Sequence, residues 1–119
     1  MGNKNLQEKI DYLQRMADSL LFANCSRNHL YSDELAALNH SIHQQIDELY
    51  PLRGKTVEQD ASLCLAILMG YSVSMYANPD DERKKQTVLK RSQKLLESLS
   101  PCLLKEQLRD IYSQLSVSF

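Results

Sequence analysis

The sequence is poor in residues that interrupt helices. It holds three glycines and three prolines in 119 residues, so long stretches carry neither free φ nor a missing N–H donor. It lacks tryptophan and has three cysteines, Cys25, Cys64 and Cys102. An odd number with no CxxC pair argues against a disulfide framework and against a structural zinc site. The thiols are read as reduced and partly buried. No apolar run approaches the roughly 20 residues that span a bilayer. The start, Met1-Gly2-Asn3-Lys4-Asn5, has no apolar segment of signal-peptide type after its lysine, and Leu6 stands where a myristoylation start wants Ser or Thr. A net charge of −1 supplies no global field toward nucleic acid or anionic lipid. A cytoplasmic protein without membrane contact is the expectation.

What remains is a chain with 43% hydrophobic residues, enough to build one core in a single domain over residues 1–119. The periodicity predicts five helices and no strand, an all-α bundle around a central apolar third helix. Leu6, Ile10, Leu13, Ala17 and Leu20 recur at helical spacing and predict a first helix over residues 5–23. Residues 24–31 are polar and end it. Ser32 offers an N-cap oxygen before Asp33 and Glu34, and Leu35, Leu38, Ile42, Ile46 and Leu49 form the apolar stripe of a second helix that stops near Tyr50-Pro51.

Thr56-Val57-Glu58-Gln59 reads as a capping box opening the third helix. From residue 61 to 75 that helix is apolar almost all round, so its neighbours are expected to wrap it. Ala66, Gly70 and Ser74, four apart, form a strip of small side chains on which another helix can approach closely. A bulky residue at Gly70 is therefore expected to destabilise the fold. Asn78-Pro79-Asp80-Asp81 starts a fourth helix that buries Val88, Ser92, Leu95, Leu96 and Leu99. Ser100-Pro101 starts a fifth that buries Leu104, Leu108, Ile111 and Leu115, and residues 116–119 fray. Short connections make sequential helices antiparallel neighbours.

Catalytic groupings are not evident. There is no GxSxG, no GxGxxG, no Walker-type loop and no HExxH. His40 and His43 are three apart with Asp47 one turn on, a spacing that could hold metal, but no cysteine converges on them and solvated histidines are the simpler reading; His29 stands apart. Asp80, Asp81 and Glu82 are explained by the charge preference of a helix start. Cys64 lies in the most apolar segment, where a thiolate is disfavoured. No enzyme activity, cofactor or metal is expected.

Two surfaces stand out for binding another macromolecule. Arg83, Lys84, Lys90, Arg91 and Lys94 fall within about 120° of the fourth helix at 100° per residue. This basic face suits an acidic protein surface; RNA ranks lower because no aromatic platform accompanies it. Tyr71, Met75 and Tyr76, at the end of the third helix, are large adaptable residues of the kind enriched at interfaces.

Several segments resemble the UpxZ family of the Bacteroidales. These are Tyr31-Ser32-Asp33-Glu34, the block Leu63-Cys64-Leu65-Ala66-Ile67-Leu68-Met69-Gly70-Tyr71, then Met75-Tyr76-Ala77-Asn78-Pro79, Gln86-Thr87-Val88-Leu89 and Leu103-Leu104-Lys105. The similar stretch covers residues 20–108, and the block in the third helix is its most specific part. It is a packing pattern with no catalytic group. The resemblance implies a small helical protein of capsular-polysaccharide operons that antagonises NusG-like UpxY antiterminators of other capsule loci by direct contact. It also implies a further acidic helical segment beyond the fifth helix in fuller-length members, and it places no binding residue on a position of this chain. A generic helical adaptor or a homo-oligomeric scaffold is the alternative reading of the residues; direct DNA binding is not expected.

Overall fold

A computed structural model of the chain describes residues 5–25, 32–75 and 78–116. Five helices run through them in the order α1 (Leu6–Cys25), α2 (Ser32–Leu49), α3 (Val57–Val73), α4 (Asp81–Ser98) and α5 (Leu103–Ser116), with no strand among the described residues. The first helix begins one residue later and ends two residues later than its apolar seam predicts, running through Asn24 and Cys25. Ser116, expected in the frayed tail 116–119, instead closes α5; residues 26–31 of the break expected at 24–31, with His29, and residues 117–119 of the tail lie outside the described residues.

The apolar α3 forms the axis. Its residues Ala61, Leu63 through Leu68, Gly70 and Tyr71 are all buried, and it touches α1, α2, α4 and α5. A helix buried on nearly every side needs no polar face, which is why its sequence shows none. It begins at the predicted cap: Thr56 Oγ1 accepts from Gln59 N at 3.0 Å. The reciprocal bond is displaced by one residue, since Gln59 Oε1 accepts from Lys55 N at 2.8 Å rather than from the cap itself. At the other end Ser74 leaves the helix in an extended conformation, its Oγ donating to Gly70 O at 2.6 Å.

The surrounding helices cover α3 unequally. α1 contributes Ile10, Leu13, Met16, Ala17 and Leu20, and α2 contributes Ile42, Ile46 and Leu49. α4 buries Val88, Leu89 and Ser92, and Leu99 just past its end is buried too, while Leu95 and Leu96 remain half-covered. In α5 only Leu108 is fully buried; Leu104, Ile111, Tyr112 and Leu115 pack against the core with one side open. α4 and α5 start two residues later than their Asn-Pro and Ser-Pro signals suggest: residues 79–80 form a turn and residues 101–102 a bend before regular helix begins. Asp81 still completes half of a capping box, its Oδ2 accepting from Asn78 N at 2.8 Å.

The strip of small residues on α3 is where α2 crosses. A methyl group added at Gly70 would lie 2.8 Å from Ile46 Cδ1 and 3.2 Å from Ile42 Cγ2. The nearest obstacle is the tip of a flexible side chain, so Gly70→Ala is expected to change stability little. The ~1 kcal/mol of helix propensity gained by alanine roughly offsets the crowding. Gly70→Leu has nowhere to go and is expected to cost about 1–3 kcal/mol or more. Urea denaturation of both variants measures the difference.

Candidate functional site

The polar chemistry of the molecule converges where α2 meets the α3–α4 connection. Asn39, His43 and Asp47 lie four apart on α2 and so share one face. Asn39 and His43 reach across to the segment that leaves α3, and Asp47 reaches α4. Asn39 Oδ1 accepts from Met75 N at 2.7 Å and Asn39 Nδ2 donates to Met75 O at 3.2 Å. His43 Nε2 donates to Met75 O at 2.6 Å and lies 3.0 Å from Ser74 Oγ. Its Nδ1 faces Asp81 Oδ2 at 3.6 Å, a separation at which a protonated imidazole would form an ion pair. Asp47 Oδ1 accepts from Lys84 Nζ at 3.0 Å, and the ammonium sits 5.5 Å from the centre of the Tyr50 ring.

This ladder corrects the reading of the histidines. His43 is 3% exposed rather than solvated, with its ring edge against Tyr71 at 5.9 Å between centroids. His40, three residues earlier, is exposed. Among the described residues there is no group of three or more His, Cys, Asp or Glu side chains that could hold a metal ion. Asp81 is more than a helix-start charge: it is fully buried beside His43.

The basic face of α4 splits in two. Lys84 and Arg91 sit at the edge nearest the apolar stripe, and that edge is turned toward α2 and the α2–α3 connection. Lys84 is held by Asp47, and Arg91 Nη2 by Asp60 Oδ1 at 2.8 Å, with the Arg91 side chain only 13% exposed. Asp60 Oδ1 also accepts from Gly54 N at 2.9 Å, so one carboxylate ties the connection between α2 and α3 to α4. Arg83, Lys90 and Lys94 remain on the solvent side, Arg83 in an exposed 3.3 Å pair with Asp80. Two of the five cations thus hold the bundle together, and three are presented outward.

The second predicted surface also divides. Tyr71 is 4% exposed and belongs to the core, so it is not available for a partner. Met75 is 79% exposed, the most exposed large hydrophobic residue among those described. Tyr76 lies outside the described residues. Next to this region, Asp47, Asn78, Pro79, Asp80 and Lys84 line an open cleft of about 360 Å³. Asn39 and Asp60 had no sequence signal of function, because each acts on residues more than thirty positions away.

Residues 10–113 match the UpxZ family of transcription anti-terminator antagonists. The chain belongs to that family. A crystal structure of a transcription anti-terminator antagonist UpxZ from Bacteroides uniformis ATCC 8492 superimposes with a TM-score of 0.83 at 34% sequence identity, covering 95% of this chain and 70% of that one. No curated protein is significantly similar to the sequence. Membership of the UpxZ family assigns a regulatory role in transcription.

The thiol inside the UpxZ core is shielded from chemistry. Burial pushes the Cys64 pKa from 9.0 up to about 11, with nearby Asp60 adding to the rise and Arg91 and a hydrogen bond with Ser92 opposing it. The thiolate needed for nucleophilic attack is thus disfavoured at neutral pH. Among the described residues no helix is long and apolar enough to cross a membrane.

Proposed function

We propose that this UpxZ-family protein silences NusG-like antitermination factors of capsular-polysaccharide loci, acting in the cytoplasm as a single helical domain that binds the factor directly. Its targets are the UpxY antiterminators of loci other than its own. Family membership over residues 10–113 carries the proposal, and the 34% identical crystal structure of a transcription anti-terminator antagonist supports it. The outward cations Arg83, Lys90 and Lys94 suit an acidic surface on the factor.

The test is a pull-down of purified antitermination factors from several capsule loci with the full chain, followed by titration. Binding at micromolar concentration or tighter to factors of other loci is the expected result. No binding to any of them at tens of micromolar would sink the proposal.

A further inference from the structure

The most exposed large hydrophobic side chain among the described residues is also fixed at its root. Met75 stands 79% exposed, yet its backbone is fastened on both sides. Its N–H goes to Asn39 Oδ1, and its carbonyl takes bonds from Asn39 Nδ2 and His43 Nε2. Both residues belong to α2, some thirty positions earlier in the chain, and His43 is itself buried against Tyr71 and Asp81. Three hydrogen bonds to one residue of a connection are unnecessary for solvation, since water would satisfy the same groups. They hold the Cα in place, and an apolar side chain on a fixed stem loses little backbone freedom when it is captured. The other strongly exposed apolar residue, Leu103 at 69%, stands at the opening of α5, on the regular ladder of its own helix and without side-chain bonds from another element.

We infer that Met75 is the apolar anchor with which this protein enters a hydrophobic socket on its antitermination factor, the polar side chains around it forming the rim of the contact. The inference rests on the functional reading above and names the surface that carries it out. A rim of mixed charge, with Asp47 and Asp80 beside Lys84 and Arg83, fits a protein surface. The carboxylates in it would repel the phosphates of nucleic acid or of an anionic membrane. A second copy of this chain is a poorer fit, because the cleft next to Met75 is lined by Asp47, Asn78, Pro79, Asp80 and Lys84 and offers no apolar socket among the described residues. A buried side chain at the centre of a polar rim is the arrangement in which one residue dominates affinity.

The experiment measures binding of the full chain to a factor that it captures in the pull-down. Met75→Glu is expected to weaken binding about 30-fold or more, the effect of losing a dominant anchor. Met75→Leu should stay within about threefold of the parent, as volume-conserving apolar exchanges do. Leu103→Glu should also leave affinity unchanged. Asn39→Ala keeps the methionine and frees its stem, and a loss of about fivefold is expected from the backbone freedom restored. A photo-crosslinking amino acid at position 75 should yield an adduct with the factor, whereas the same group at position 103 should not; this readout holds even if a variant folds poorly. Parent-like affinity of a folded Met75→Glu, or absence of the adduct at position 75, overturns the inference and leaves the functional reading standing. A parent dimer that Met75→Glu converts to monomer, seen by light scattering, would assign Met75 to self-association instead. Failure of the parent chain to bind any factor overturns both.

Discussion

Asp60→Ala is expected to destabilise the protein by about 3 kcal/mol, a loss typical of removing one member of a mostly buried ion pair. The carboxylate serves two donors through one oxygen, the Arg91 guanidinium at 2.8 Å and the Gly54 amide at 2.9 Å. With alanine in its place, Arg91 keeps a charge whose side chain is 13% exposed and whose Nη1 already lacks a hydrogen-bond partner. A long contact from Nη2 to Leu52 O, at 3.5 Å, is all that remains to it. Most of the penalty is the cost of that stranded charge and not the worth of the pair. Removing both charges should therefore hurt less than removing one: Asp60→Ala combined with Arg91→Met is expected to recover a large part of the loss in urea denaturation. Hydrogen exchange supplies a second check, because the Gly54 amide should lose protection in Asp60→Ala. A loss below about 0.5 kcal/mol, the size of an exposed pair, would mean that the pair is solvated.

Leu108→Ala is expected to cost a similar amount, about 2–5 kcal/mol, and to act mainly on one helix. Leu108 is the sole fully buried residue of α5. The half-covered Leu104, Ile111, Tyr112 and Leu115 hold less apolar area against α3 and α4. Removing the central side chain leaves a cavity at the one place where α5 is enclosed. α5 should consequently lose amide protection at a lower free energy than α3, so that the helix opens before the bundle unfolds. Equal loss of protection in both helices would show instead that the five helices unfold as a single unit.

The architecture was legible in the sequence for a simple reason. Apolar spacing reports which face of a helix is covered, and residues 61–71 are apolar almost all round, with only Ser62 and Met69 partly exposed, so α3 announces itself as the centre. The small strip at Ala66, Gly70 and Ser74 likewise marked a close approach, and Ile42 and Ile46 of α2 are found against it. The site was less legible because its bonds join distant positions. A helical wheel assigns Lys84 and Arg91 to the same sector as Lys90 and Lys94, but it cannot show that Asp47 and Asp60 arrive from other elements to claim the first two. His43 next to Asp47 looks like half of a metal site until the backbone of Met75 is seen to occupy its ring nitrogen. Tyr71 illustrates the opposite error. Large and at the end of a helix, it suggests an interface, yet it fills core volume beside His43.

The crossing of α2 over Gly70 has a mechanical corollary. Ile42 and Ile46 straddle that single hydrogen atom, and on the same helix Asn39, His43 and Asp47 are latched to fixed points on the far side of the connection. Sliding α2 by one turn would drive an isoleucine onto Ala66 or Ser74 and break every latch at once. The helix is indexed like a key in a lock and has no travel as a piston.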